Sequence, residues 1–273
     1  MTDRLPTVYL ASRSRNKFND YKFLLGNFAD LQWYKLSVDE PQTPDLEIMI
    51  RRKINETRPF LPYLPFFVEQ TGLIVNVWNN LPGTATTMFM DSVGNKGICR
   101  MMAAYEGEER AATVVTYLGY HSPDGKVQIF KGAVAGHIAK EPRGDKGYGW
   151  DAIFVPQGQD KTFGEMTNKQ KNEYATRILA ATAFNTAVLK TPHAEEIAHN
   201  RVNFLETFIQ SFSLDELDDL IFNLGLDPDE IAGRVKRERV RELILYFSRR
   251  QQMSHLLQLT RQVRPNVDWP EIV

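Results

Sequence analysis

Three short segments hold residue types that could act together on a phosphorylated ligand. Ser12-Arg13-Ser14-Arg15-Asn16-Lys17 combines hydroxyls with cations and directly follows the apolar run Thr7–Ala11. If that run is a strand and a helix follows, the loop offers backbone N–H groups and a helix N-terminus to an anion such as phosphate. It has no glycine and no G-K-[ST] ending, so it is not a P-loop; a solvated loop could hold the same residues. Asp45 and Glu47 open a helical stretch that contains Lys53, and Glu69 ends an apolar run. Carboxylates beside several cations suit a magnesium triphosphate, because Mg²⁺ takes oxygen ligands and shares them with phosphate. Taken singly, each is equally a cap or a surface charge. In Gly144-Asp145-Lys146-Gly147-Tyr148-Gly149-Trp150-Asp151, glycines surround two aromatics and an aspartate. A flat base could stack there while the carboxylate meets its edge or its sugar. The alternative, an aromatic corner of the core after a turn, would normally carry fewer glycines.

The elements that must position these groups are legible in outline. Thr7–Ala11 reads as a strand, followed by a loop and a helical pattern to Leu25. Phe66–Glu69 and Leu73–Trp78 read as two strands with a bend at Thr71-Gly72. Ala111–Tyr120 and Val127–Ile138 are β-branched and aromatic runs, and the turn chemistry of Ser122-Pro123-Asp124-Gly125 between them predicts a hairpin. Thr167 is a candidate N-cap for a helix running towards Leu189. Strands and helices mixed in this order predict an α/β domain.

After Thr191-Pro192 the strand signal ends. Phe204, Leu205, Phe208 and Ile209 keep helical spacing, as do Leu217, Leu220, Ile221 and Leu224, then Leu243, Ile244 and Phe247. This predicts a small all-helical bundle, and a division into residues 1–192 and 196–273. Between Glu206 and Glu230 the charges are all acidic, with Asp229 among them; from Arg234 to Arg264 they are mainly basic, Arg249 included. Two opposed faces could dock a like domain, or the two sets could neutralise each other across the bundle.

Composition narrows the function classes. Hydrophobic residues make up 42% and charged residues 25%, an ordinary globular balance. Lys plus Arg is 33 against 34 Asp plus Glu, for a net charge of −1, which gives no general attraction to nucleic acid or an anionic membrane. One cysteine, Cys99, excludes an intrachain disulfide. The first residues lack the pattern of a secretory signal and no apolar run reaches membrane-spanning length, so a cytoplasmic protein is expected.

The segments fall together in one family. Residues 7 to about 190 resemble the inosine triphosphate pyrophosphatases, which hydrolyse deaminated purine nucleoside triphosphates to monophosphate and pyrophosphate. The resemblance is carried by Gly147-Tyr148-Gly149-Trp150-Asp151, Ile153-Phe154-Val155-Pro156-Gln157-Gly158, Thr162-Phe163-Gly164-Glu165-Met166, Lys171-Asn172 and Arg177. Upstream, Val68-Glu69-Gln70-Thr71-Gly72-Leu73 and Leu81-Pro82-Gly83 match in order and spacing. The resemblance implies an elongated mixed α/β fold, a nucleotide cleft between two lobes, and a homodimer. It implies triphosphate contacts from Ser12, Ser14, Lys17, Lys53, Lys171 and Arg177, and base contacts from Tyr148, Trp150, Asp151 and Thr176. Mg²⁺ would be bound with the triphosphate by Glu47 and Glu69. On an unbroken helix, Lys171 and Arg177 would lie about 120° apart, so periodicity alone does not pair them.

The departures matter as much. Glu69 matches the first acid of the family's acidic pair, but the second, the metal-binding or water-activating carboxylate, is Gln70. An amide is neutral and takes no proton near pH 7. The family's Ser-His before the arginine is Ala175-Thr176, and its Thr-Gly-Asn loop is Ser12-Arg13-Ser14. The phosphate cations persist while a catalytic acid does not, which predicts binding with weak or no hydrolysis; the alternative is an active enzyme that clears deaminated purines from the nucleotide pool.

Residues 201 to 269 resemble bacterial death-like, effector-associated adaptor domains, through Leu214-Asp215-Glu216-Leu217, Phe222-Asn223-Leu224-Gly225-Leu226-Asp227, Lys236-Arg237, Arg241-Glu242-Leu243 and Arg264-Pro265. Such adaptors join sensors to effectors by like-with-like contacts. The combination resembles sensor components of bacterial antiviral defence, among them the Kongming system, which pairs a pyrophosphatase-like subunit with a Sir2-like NAD-consuming effector. The expected ligand is ITP, dITP or XTP, and the expected protein partners are a second copy and an effector.

Overall fold

Apolar and β-branched runs do form the strands that hold the loop, the acid and the cations together. The computed structural model describes residues 5–39, 43–189, 194–228, 231, 233, 235–250 and 252–270. In chain order the elements are β1 (Thr7–Ala11), α1 (Arg15–Leu25), β2 (Asp30–Tyr34), α2 (Leu46–Thr57), β3 (Phe66–Val75), β4 (Pro82–Gly83), α3 (Thr86–Ser92) and α4 (Gly94–Met101). They continue with β5 (Ala111–His121), β6 (Val127–Ile138), β7 (Phe154–Pro156), α5 (Asn168–Asn172), α6 (Thr176–Phe184), α7 (Ala194–Ser211), α8 (Leu214–Asn223), α9 (Lys236–Arg249) and α10 (Met253–Val263).

The seven strands form one mixed sheet in the order β2-β1-β3-β5-β6-β7, with β4 paired to β3. β1 runs parallel to both β2 and β3, while β3-β5, β5-β6 and β6-β7 are antiparallel. β1 pairs with β3 only at Tyr9↔Phe66 and Leu10↔Phe67, so β3 runs on past the end of β1 and leaves that edge open from Val68 to Gly72, before β4 pairs at Leu73 and Ile74. Open parallel sheets bind ligands beyond the carboxyl ends of such strands. The expected β5-β6 hairpin is formed.

Two sequence expectations need correction. The bend at Thr71-Gly72 does not exist: β3 is one ten-residue strand paired with β5 from Phe66↔His121 to Val75↔Ala112, and Trp78 lies beyond it in a short 3₁₀ turn. Gly72 serves close approach rather than turning, since a Cβ there would lie 2.4 Å from the Gly83 carbonyl oxygen on β4. The helix from Thr167 does start with the expected cap, the Thr167 hydroxyl accepting from Gln170 N–H, but it stops at Asn172 and restarts at Thr176. The extended Ala175 (ψ 99°) makes the break. It lets α6 seat against β6, where a Cβ on Gly132 would meet the Thr176 carbonyl oxygen at 2.0 Å and the Ala180 nitrogen at 2.8 Å. Gly132→Ala is therefore expected to lower stability by about 1–3 kcal/mol and shift α6, a result checked by thermal unfolding; an unchanged Tm would contradict this packing.

The apolar face of α1 and α6 does not end at the sheet. One buried cluster runs from Val8 and Leu10 through Tyr21, Phe67 and Phe184 to Phe204, Phe208, Leu217, Leu243, Ile244 and Trp269. The C-terminal helices are thus laid against α1 and α6. Within them, Phe204, Phe208 and Phe212 pack around Trp269, with Phe204–Trp269 centroids 5.4 Å apart. Polar links reinforce the seam: Asn168 donates to Glu206 at 2.6 Å and Lys22 faces Glu242 at 3.4 Å. The acidic and basic stretches partly neutralise each other, through Arg239–Asp218, Arg264–Glu216 (2.6 Å) and Arg237–Glu206 (2.5 Å). Residues 190–193 lie outside the described residues, so the division expected between 192 and 196 is seen only from Ala194, where α7 has already begun; Asp229, Glu230, Arg234 and the side chain of Arg249 are outside them too. Among the described residues no helix is long and apolar enough to cross a membrane.

Candidate nucleotide site

The loop after β1 shapes one wall of a cleft. Ser12 Oγ accepts from Ser14 N–H at 3.1 Å, and Ser14 caps α1 by accepting from Lys17 N–H at 3.2 Å. These bonds aim the α1 N-terminus outward, beside a cleft of about 1100 Å³. It is bordered by Ser12, Arg13, Ser14, Lys17, Lys53, Glu69 and Gln70, together with Pro82 and Thr84. A second groove of about 830 Å³, around Glu106, Arg110 and His137, contains none of the candidate triphosphate, base or metal residues.

Strand period two decides how β3 serves the cleft. Glu69 points to the α1–α6 side, where Lys17 Nζ forms an ion pair with Oε2, Arg177 Nη2 lies 3.6 Å from Oε1, and Thr71 Oγ1 donates to Oε1 at 2.5 Å. Gln70 points to the other side, where its Oε1 accepts from Lys53 of α2. Burial alone would raise the Glu69 carboxyl. The charges of Lys17 and Arg177, with hydrogen bonds from Lys17 and Thr71, outweigh it and hold the group down at about 2. Arg177 feels the converse: burial works against its charge, but Glu69, Tyr21 and Asp20 hold it protonated more firmly than usual.

Sequence reasoning missed a chain of hydroxyls behind the acid. Thr71 Oγ1 lies 2.7 Å from Thr116 Oγ1, which lies 2.8 Å from Thr176 Oγ1. Ionised Glu69 only accepts, so Thr71 donates to it, Thr116 to Thr71 and Thr176 to Thr116. The register Thr71↔Thr116↔Gly132 across β3, β5 and β6 builds this line. The buried Thr176 is thereby committed inside the fold, not aimed at a base. Thr116 lay in a legible strand run, but Thr71 was expected in a bend, and their pairing required the strand register.

The Gly-rich segment forms a second group. Asp151 is buried, accepts from Tyr148 N–H at 2.8 Å and pairs with Lys171, whose Nζ lies 5.4 Å from the Tyr148 ring centre. Gly147 is required here: its φ is +82°, and a Cβ would meet Asp151 Oδ2 at 2.0 Å. Tyr148 is 76% exposed and is one of the groups favouring charge on Arg177. Trp150 is half-buried against the core of Ile138, Ile153 and Phe154. The helix break at 173–175 removes the angular objection to pairing Lys171 with Arg177, since no single helix carries both.

Glu47 stays out of the cleft. Two residues after the Asp45 cap and four before Arg51, it accepts from Arg51 Nε at 3.1 Å and Nη2 at 2.7 Å on an exposed helix face. Among the described residues Glu69 is the one carboxylate bordering the cleft, both its oxygens face cations, and no group of three His, Cys, Asp or Glu gathers to hold a metal ion. This donor set does not fit a resident metal of the chain.

The folded pattern, a nucleotide-sized cleft beyond β1 with cations gathered on the open edge of β3, can now be compared with known proteins. The Ham1 family matches residues 8–187. The chain belongs to the Ham1 family. Its Ham1 region is 32% identical over 179 residues to the dITP/XTP pyrophosphatase of Methanopyrus kandleri, covering 65% of this chain and 93% of the relative. It is 35% identical over 183 residues to the dITP/XTP pyrophosphatase of Saccharolobus solfataricus, covering 65% and 91%. The inosine triphosphate pyrophosphatase of Schizosaccharomyces pombe is 30% identical over 178 residues, with 65% and 92% covered. The fold agrees with that of the Ham1 protein of Staphylococcus aureus (TM-score 0.57, 23% identity, 66% of this chain and 96% of that one). It agrees equally with a HAM1 protein of Coxiella burnetii (TM-score 0.59, 20% identity, 68% and 100%). Residues 204–265 match effector-associated domain 7, so the Ham1 region carries a helical effector-associated domain at its C-terminal side.

Proposed function

We propose that the Ham1 region binds a deaminated purine nucleoside triphosphate of the dITP/XTP type and hydrolyses it, slowly, to monophosphate and pyrophosphate. The relatives named dITP/XTP pyrophosphatase support the substrate class and the reaction. The observation that carries the proposal is the gathering of Lys17, Lys53 and Arg177 around Glu69 and Gln70 at the open edge of β3. A triphosphate is the ligand class whose charge matches so many cations beside a helix N-terminus. Tyr148, Asp151 and Lys171 stand near Arg177 as the side where a base would be received, with Trp150 supporting them from the core.

In the hydrolysis a water oxygen bonds to phosphorus, the bond to the bridging oxygen breaks, and pyrophosphate leaves with that electron pair. Lys17 and Lys53 offset the charge that grows on the leaving group. The proton of water must go to a base, and here the chain is poorly equipped. Gln70 takes no proton, and a carboxylate held at about 2 is a weak acceptor at neutral pH. We take Mg²⁺ to arrive with the triphosphate, not as a resident ion of the chain.

Two observations favour a second reading, in which the bound nucleotide is a signal. The residue at the water-activating position is an amide locked to Lys53, and an effector-associated domain is fused to the same chain. Residues 196–273 would then serve as the adaptor to a like domain or an effector, of the Sir2-like kind or another, and a second copy would pair through the Ham1 region. The reaction is tested by pyrophosphate release from dITP, XTP and ATP with Mg²⁺ present. Slow release that favours dITP and XTP is expected; release no faster than from the blank would leave the signalling reading.

A further inference from the structure

One contact links the C-terminal helices, by way of Arg177, to Glu69 at the border of the cleft, and it is a shared carboxylate. Asp20 on α1 accepts from Arg177 Nη1 through Oδ2 at 2.7 Å and from Arg241 Nη2 of α9 through Oδ1 at 2.8 Å. Arg177 is the residue that also faces Glu69 in the site, and Arg241 lies in the effector-associated domain with its side chain 8% exposed. A continuous line of charge therefore runs Glu69, Arg177, Asp20, Arg241, from the middle of β3 to a helix that the Ham1 region does not contain.

We infer that Asp20 is a positioning residue that divides its charge between Arg177 and Arg241, so that the seating of α9 sets how free Arg177 is to meet a triphosphate. The reason is competition for one guanidinium. A phosphate approaching Arg177 must draw it from the carboxylates that hold it. With Arg241 in place, half of the Asp20 carboxylate is engaged elsewhere and its hold on Arg177 is loosened. Without Arg241, Asp20 turns its whole charge on Arg177, which is then held between it and Glu69. Coupling of this kind is reciprocal: a nucleotide that takes Arg177 leaves Asp20 to Arg241 and changes how firmly α9 is held. The neighbouring seam contact, Lys22 with Glu242 at 3.4 Å, touches no residue of the cleft and provides the internal comparison.

This inference rests on the proposed nucleotide site, so its test has one arm that needs no nucleotide. In the ligand-free full-length protein, Arg241→Met is expected to shift the Arg177 Nε–Hε resonance, and Glu242→Gln is expected to leave it in place. In the second arm, titration with dITP should show Arg241→Met binding about threefold to tenfold more weakly than wild type, an effect of the size measured for directly coupled pairs. That loss should vanish when the same change is made on an Asp20→Asn background, and Glu242→Gln should bind as wild type does. A merely structural role would weaken binding additively and would not be cancelled by Asp20→Asn. Should Arg241→Met fold poorly, Arg241→Lys, which keeps the charge and loses the guanidinium fork, takes its place with a smaller loss expected. An unmoved Arg177 resonance, or equal losses with and without Asp20, would overturn the inference. A moved resonance with no dITP binding by the wild type would instead overturn the nucleotide reading and leave the Asp20 bridge standing.

Discussion

Gln70→Asp is expected to raise pyrophosphate release from dITP by about 10²- to 10⁴-fold, the usual contribution of a positioned general base. The change draws the polar group back by one methylene and needs no new backbone geometry. Lys53, which now donates to the Gln70 amide oxygen, would become its ion-pair partner and keep the carboxylate charged at neutral pH. The cleft would then hold two acids on opposite sides of one strand, Glu69 shared between Lys17 and Arg177 and the new carboxylate facing Lys53. Steady-state release at saturating dITP and Mg²⁺ reads the effect. A wild type that is already fast, with the variant no faster, would show that the amide is not what limits the reaction.

Glu69→Gln should cost about 3 kcal/mol of stability at pH 7 and remove much of the protein's acid sensitivity. The Glu69 side chain is fully buried, and its carboxyl is held at about 2 against an ordinary 4.5. A folded-state value below the unfolded one favours folding wherever the group is ionised in both states, so the contribution is complete above about pH 4.5. It fades as the pH falls from there towards 2. Urea unfolding from pH 7 down to pH 3 should show wild type losing stability faster than the variant, so that the two curves converge. Parallel curves would mean that the Lys17–Glu69–Arg177 contact contributes little.

The candidate binding residues were more legible than the geometry that joins them. β1, the loop after it and α1 follow from a short apolar run and the helical pattern behind it, and these bring Ser12, Ser14 and Lys17 to the wall of the cleft. The Asp45 cap and α2 followed in the same way and brought Lys53 to the cleft. Glu47 did not come with it, because six residues along α2 leave it about 120° around the helix from Lys53, on the exposed face beside Arg51. The bend expected at Thr71-Gly72 failed because glycine there answers to β4 at close range, a long-range cause that no local window contains. Thr176 was expected at the base and is instead the end of a buried hydroxyl line, which exists only through the register of β3, β5 and β6. The Asp20 bridge was least accessible of all: its partners stand 157 and 221 residues away in sequence, and neither has a local signature.

The central claim is that the cations on the edge of β3 form a triphosphate site, and isothermal titration of dITP into the full-length chain tests it most directly. One site per chain is expected, with Lys53→Met weakening it by about tenfold or more, since a charge-assisted contact to phosphate is lost. Absence of binding to dITP and XTP, or binding that Lys53→Met and Lys17→Ala leave unchanged, would contradict it.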